Sequence, residues 1–116
     1  MRNIDFHDID EGMLRGDWVV HSRVVNRADP DSALARAQAL TLGDGTLLLN
    51  APPDPIVGRW SVARDDGLAR RPYLELELGP DLSRALITRL RQSDDRRQGH
   101  LDLYTADGIE LALVRR

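Results

Sequence analysis

The sequence contains no cysteine and no lysine, and both absences narrow the chemistry open to the chain. Without cysteine there can be no disulfide, no thiolate nucleophile and no zinc–thiolate site. Without lysine there can be no Schiff base and no lysine general base. Aromatic residues make up only 4% of the chain. No apolar run approaches the roughly 20 residues that a membrane helix needs, so we expect no membrane insertion.

The charge of the chain is mildly negative. All 16 basic residues are arginines, and 19 acidic residues outnumber them. A domain that binds nucleic acid would carry a clear basic excess, so we expect no nucleic-acid partner. No apolar run follows Met1 to Asp5, which is unlike a signal peptide. With cysteine absent as well, we expect a cytoplasmic protein.

Alternation of apolar and polar residues dominates the chain. From residue 73 to residue 78, leucine alternates with tyrosine or glutamate, which is typical of an antiparallel strand with one buried face. Segments of this kind number about eight, and tight turns such as Asp44-Gly45 and Asp107-Gly108 separate them. We therefore predict an all-β fold, a small antiparallel up-and-down barrel over residues 15–116. Residues 1–14 are expected to form a short helical turn that packs on this barrel.

The segment from Leu82 to Gln92 allows two interpretations. Leu82, Leu86 and Leu90 recur every four residues, which favours a helix. The β-branched pair Ile87-Thr88 and the alternation around it favour a strand. A strand leads to the barrel, whereas a helix leads to an α+β fold with one helix covering an antiparallel sheet.

The beginning and the end of the chain resemble the lipocalin or calycin superfamily. Gly16-Asp17-Trp18 opens the first predicted strand after a short N-terminal segment, and Arg115 ends the last one. The resemblance implies that Trp18 closes one end of the barrel beneath Arg115, with Gly16 and Arg115 in structural roles. It also implies a small cytoplasmic bacterial member of that superfamily. Gly58-Arg59-Trp60 repeats the Gly-x-Trp pattern in a later strand.

A narrower resemblance concerns ligand binding. Two sets of residues are similar to the first strand of lipocalin-like bilin lyases, which implies a tetrapyrrole-like ligand or lyase chemistry. One set is Gly16, Trp18, Ser22 and Arg23, and the alternative is Gly58, Trp60, Ser61 and Arg64. The indoles of Trp18 and Trp60 belong either to the core or to a ligand site, where they would stack on the ligand. If the barrel interior holds free space, it suits an apolar ligand. The expected polar anchors for such a ligand are Ser22, Gln38 and Thr88.

Catalytic residues are not evident in the sequence. His100 and Asp102 share one face of a predicted strand, but such a pair is typical of a solvated edge. No serine stands in a nucleophile elbow. We predict no catalytic residue, no metal site and no cofactor.

Among the residue types in this sequence, arginine most favours the binding of a protein partner, because its planar guanidinium binds carboxylates at protein interfaces. The candidate partner-binding residues are Arg59, Arg84, Arg89, Arg91, Arg96 and Arg97. We expect a non-enzymatic accessory or assembly protein that binds a protein partner through an arginine-bearing barrel surface. The alternatives are a carrier of a small apolar or tetrapyrrole-like ligand and a bilin-lyase-like enzyme. Assembly into a homo-oligomer is compatible with all three.

Overall fold

The computed structural model describes residues 1–65, 67 and 70–116. These residues form nine β-strands, two four-residue α-helices and one turn of 3₁₀ helix at Phe6–Asp8. The helices are α1 (Glu11–Leu14) and α2 (Ala33–Arg36). The strands are β1 (Arg2–Asn3), β2 (Gly16–Val25), β3 (Ala39–Leu42), β4 (Thr46–Ala51), β5 (Asp54–Arg64), β6 (Pro72–Leu78), β7 (Asp81–Gln92), β8 (Gly99–Thr105) and β9 (Ile109–Arg115).

Strands β2 to β9 form a closed antiparallel barrel in which each strand pairs with the next along the chain. The barrel closes because β9 also pairs with β2, from Trp18↔Arg115 to Val25↔Ile109. The predicted eight-stranded up-and-down barrel is therefore confirmed. The alternative helix at residues 82–92 is wrong, because β7 pairs with both β6 and β8. Leu82 and Leu86 lie on the outer face of this strand, and the bulge beyond Ile87 turns Leu90 into the barrel interior.

Leucine fills the interior of the barrel. On β6, Leu74, Leu76 and Leu78 are buried while Glu77 is exposed, as the alternation predicts. Side chains from all eight barrel strands join one buried cluster with Ile9, Leu14 and the residues of α2. Burial of this apolar area is the main source of stability for a domain of this size.

Two β-bulges redirect side chains that strict alternation places inside the barrel. The register of β2 against β9 shifts between Val20 and Ser22, and that of β7 against β8 shifts between Ile87 and Arg89. An extra residue in one strand reverses the facing of the positions beyond it. Ser22 and Thr88 are consequently exposed, and their predicted position as interior anchors is wrong.

The connection from β4 to β5 is short, because only Pro52 and Pro53 separate the two strands. Pro55 lies in β5 opposite Asn50. A strand tolerates this proline because β6 pairs with β5 only from Arg59 onward, so no ladder hydrogen bond is lost on that side.

The N-terminal segment covers the end of the barrel at which β2 begins, called here the Trp18 end. Asp5 and Asp10 cap the 3₁₀ turn and α1 by accepting hydrogen bonds from the backbone of His7 and Met13. The Arg64 guanidinium then holds the segment by donating to the carbonyls of Phe6, at 2.9 Å, and Ile9, at 2.8 Å. None of the helices in the described part of the chain has the length and apolar character that a membrane crossing needs.

Replacing Arg64 by alanine should loosen this segment. We expect the free energy of unfolding to fall by about 2 kcal/mol, because hydrogen bonds from a charged donor are lost at a partly buried site. Amide hydrogen exchange between Phe6 and Ile9 should accelerate, which mass spectrometry of the peptic fragment would show. Arg59→Ala, on the exposed face of the same strand, is the matched control and should change neither quantity. Equal protection in both variants would show that Arg64 does not hold the segment.

Candidate functional site

Trp18 and Arg115 lie together at the Trp18 end. The Arg115 guanidinium carbon is 4.3 Å from the centre of the Trp18 ring. Its terminal nitrogens donate to the carbonyls of Arg15, at 2.7 Å, and Met13, at 2.6 Å. Burial lowers the pKa of the Arg115 guanidinium, and the nearby positive charge of Arg96 lowers it further. An arginine nevertheless stays charged in a protein, so this contact is a cation–π interaction.

Both tryptophans belong to the core and offer no ligand-stacking surface. Trp18 is fully buried, and its indole N–H donates to the carbonyl of Leu14 at 2.8 Å. Trp60 is 3% exposed, and its indole N–H donates to the carbonyl of Gly43 at 2.9 Å. Each indole therefore has its polar atom satisfied by backbone, as a buried tryptophan requires.

The interior ligand site predicted from the sequence is not assembled. Gln38 is exposed just before β3, and with Ser22 and Thr88 also exposed, the three predicted anchors do not meet inside the barrel. Leucines from different strands, such as Leu49, Leu76 and Leu101, belong to one buried cluster inside the barrel.

A different site lies on the outer wall of the barrel, where both tyrosines of the chain project. Tyr73 on β6 pairs with Leu86 on β7, and Leu86 pairs with Tyr104 on β8. The three side chains form one row across three strands. Arg84 and Arg89 lie on the same outer face of β7, on either side of Leu86. We call this set, Tyr73, Arg84, Leu86, Arg89 and Tyr104, the tyrosine face.

The bulge in β7 is what places Arg89 on this face. Ile87 and Leu90 are both fully buried, and the two residues between them, Thr88 and Arg89, are both exposed. The hydroxyl of Thr88 donates to the carbonyl of Asp102 on β8 at 3.2 Å, which holds the bulge in place. Without the extra residue, position 89 would face the core.

Carboxylates on the neighbouring strands orient the two arginines. A nitrogen of Arg84 lies 3.6 Å from a carboxylate oxygen of Glu75, and the Arg84 guanidinium lies 5.4 Å from the Tyr73 ring. The Nε of Arg89 donates to Asp102 at 3.2 Å. In each ion pair the arginine is more exposed than its acidic partner. The guanidinium groups therefore form the outer layer of the site.

Two open concavities flank Tyr104. One, of about 500 Å³, is lined by Tyr73, Arg84, Leu86 and Tyr104 together with Arg64, Asp65 and Ala106. The other, of about 410 Å³, extends over β9 to β2. Its exposed lining includes Ser22 and Thr88, the two residues that the bulges turn outward. The site is thus a ridge between two shallow grooves, a shape that suits a macromolecular partner.

The other predicted partner-binding arginines lie away from the centre of this face. Arg59 projects from β5 beside Glu77 and lines a separate concavity of about 290 Å³. Arg91 continues the outer row of β7, opposite His100. Arg96 and Arg97 lie in the loop from β7 to β8. In this loop, hydrogen bonds from Ser93 and from the Arg97 backbone lower the pKa of Asp95.

Sequence reasoning missed Tyr73 and Tyr104 as site residues. Tyr73 was placed on the solvated face of its strand, which is where it lies, but a single strand does not show that a second exposed tyrosine is near. The available signal was compositional, since the chain has only two tyrosines and both stand at outward positions of predicted strands.

Comparison of the chain with protein-family models, with curated proteins and with solved structures finds no significant match.

Proposed function

We propose that this chain is a non-enzymatic accessory protein that binds a protein partner through the tyrosine face. One observation carries the proposal: the two tyrosines and two arginines with exposed guanidinium groups lie on one outer wall of a barrel whose interior contains a buried apolar cluster. Tyrosine and arginine are enriched in protein interfaces and among their energetically dominant residues. Tyrosine supplies a large contact area at low conformational cost.

The rigidity of the wall supports the same function. The face is built on three adjacent strands of a closed barrel, β6, β7 and β8. Ion pairs to Glu75 and Asp102 orient its arginines. Side chains held in this way lose little conformational entropy when a partner binds. A cytoplasmic location and membership of the calycin superfamily are also proposals. The closed eight-stranded barrel and the contact of Arg115 with Trp18 support the second of these. Carriage of a ligand inside the barrel and lyase chemistry stay predictions, and the buried apolar cluster lends them no support.

Site-specific photocrosslinking in the native cell tests the proposed function. A benzoylphenylalanine at position 104 should give a discrete protein adduct, because Tyr104 is an exposed aromatic side chain of the face, at 41%. The same group at position 57 is the comparison, since Val57, on β5, is the most exposed large apolar side chain described, at 75%. An adduct from position 104 that is lost in the Tyr73→Ala Leu86→Ala background supports the proposal. An adduct from position 57 alone, equal adducts from both positions, or none at all would overturn it.

A further inference from the structure

The outer side chains of β7 are evenly spaced, and the bulge at Thr88 is the reason. Against β8, Leu86 pairs with Tyr104, Arg89 with Asp102 and Arg91 with His100. Arg84 lies one step beyond Ala85, which pairs with Thr105. Measured on β8, the outward side chains of β7 from residue 84 to residue 91, apart from the bulge residue Thr88, are therefore two residues apart. They are Arg84, Leu86, Arg89 and Arg91.

This spacing matches that of an extended peptide. A strand rises about 3.3 Å per residue, so side chains on one face recur every 6 to 7 Å, and Arg84 lies roughly 13 Å from Arg89. An extended segment alongside β7 would repeat with the same period. Its side chains at positions i, i+2, i+4 and i+6 would then lie over the arginine, the leucine and the two further arginines in turn.

The charges along this row favour an acidic segment. No acidic residue lies on β7 between Arg84 and Arg91. The acidic partners lie on the neighbouring strands and are less exposed than the arginines. The Arg84 side chain is 65% exposed and that of Glu75 is 32% exposed. The Arg89 side chain is 58% exposed and that of Asp102 is 29% exposed. Only the Nε of Arg89 is engaged, and in the part of the chain that the structure describes its two terminal nitrogens have no hydrogen-bond partner. A guanidinium held in this way can still bind a second carboxylate through its outer edge.

We propose that the tyrosine face binds an extended acidic segment of the partner protein, laid along β7. Carboxylates at i and i+4 of the segment contact Arg84 and Arg89, and an apolar side chain at i+2 packs on Leu86 between Tyr73 and Tyr104. A further carboxylate at i+6 reaches Arg91. This inference rests on the proposed function and specifies the chemistry of the partner.

A synthetic peptide tests the pattern directly. The probe is fluorescein-labelled Ser-Glu-Ser-Leu-Ser-Glu-Ser-Glu-Ser, and binding to the full chain is followed by fluorescence anisotropy at low salt. Two comparison peptides have the three glutamates side by side, with the same composition, or glutamine in place of glutamate. We expect the patterned peptide to bind at least fivefold more tightly than either one, and its affinity to fall as salt screens the charges. An oligothymidylate of equal charge should bind more weakly than the patterned peptide.

Variants of the chain locate the bound peptide. Arg84→Ala and Arg89→Ala should each weaken binding about threefold, and the double variant about tenfold. Arg27→Ala, at an exposed position after β2, should leave it unchanged. Equal binding of the rearranged peptide or of oligothymidylate would show general charge attraction and overturn the inference. Unchanged binding of the patterned peptide to the Arg84→Ala Arg89→Ala double variant would also overturn the inference.

The two proposals fail in different ways. If the photocrosslinked adduct forms at position 104 but its yield is unchanged in the Arg84→Ala Arg89→Ala background, the face binds a partner that is not recognised through its carboxylates. The inference is then wrong and the proposed function stands. If no adduct forms at position 104, the proposed function is itself wrong.

Discussion

Alanine in place of Arg115 is expected to lower the free energy of unfolding by about 3 to 4 kcal/mol. The guanidinium donates two hydrogen bonds to the carbonyls of Met13 and Arg15, and at a partly exposed site each hydrogen bond from a charged group contributes about 1.5 kcal/mol net, the lower end of the usual range. It also covers the buried indole of Trp18, and a partly desolvated cation–π contact adds about 1 kcal/mol. Urea denaturation followed by far-UV circular dichroism would measure the loss.

Replacing Arg115 by lysine distinguishes the effect of the positive charge from the effect of the guanidinium geometry. A lysine keeps the cation above Trp18 but cannot donate to two carbonyls in the fixed geometry of a fork. We therefore expect Arg115→Lys to remain about 2 kcal/mol less stable than the native chain. The adjacent Arg116→Ala is the matched control and should stay within about 0.5 kcal/mol, because that side chain is exposed. A lysine variant as stable as the native chain would show that the charge alone matters.

Gly58→Ala should destabilise the barrel by about 3 kcal/mol or more. A Cβ on Gly58 would lie 1.9 Å from the backbone oxygen of Glu77. Because that atom belongs to β6 and not to a flexible side chain, the two strands would have to separate, and overpacking of this kind is costly. The close approach occurs where the pairing of β5 with β4 ends and its pairing with β6 begins. Gly58 pairs with Leu47 on β4, and the next residue, Arg59, pairs with Glu77 on β6.

Gly12→Ala is the matched control for this substitution. Gly12 lies in α1, where the nearest atom to an added Cβ is a carboxylate oxygen of Asp10 at 3.3 Å. Alanine is favoured over glycine in a helix by up to about 1 kcal/mol. The control should be as stable as the native chain or slightly more so, as judged by the urea midpoint. A Gly58→Ala chain with an unchanged midpoint would mean that β5 and β6 do not approach as closely as described.

The two Gly-x-Trp segments show which contacts at the Trp18 end could be predicted from the sequence and which could not. The resemblance to the lipocalins pointed to Gly16, Trp18 and Arg115, and the structure brings the three together. Gly16 has a φ of +127°, and a Cβ there would lie 2.5 Å from a nitrogen of Arg115. At the second segment, the missing side chain of Gly58 leaves room for the backbone of β6. No local pattern indicates this, because the crowding atom comes from another strand.

Several arginines have roles that their sequence positions do not reveal. Arg36, Arg64 and Arg115 donate to backbone carbonyls at the two ends of the barrel rather than to carboxylates. Buried carbonyls need donors, and a guanidinium can reach several at once. Which carbonyls lie within reach depends on how the loops pack. Sequence reasoning therefore assigned a structural role to Arg115, through the resemblance, but not to Arg36 or Arg64.

The sequence by itself determined most of the strands and most of their buried faces, because period-two alternation and turn residues are local signals. The barrel was predicted from the number and spacing of those strands, whereas the pairing of β9 with β2 that closes it belongs to the tertiary structure. Tertiary structure alone decided where the bulges fall and which side chains meet across strands. A bulge exists only relative to a partner strand, so Ser22 and Thr88 were assigned to the wrong side. Cross-strand register brought Tyr73, Leu86 and Tyr104 into one row, and the extra residue at Thr88 turned Arg89 out to join them.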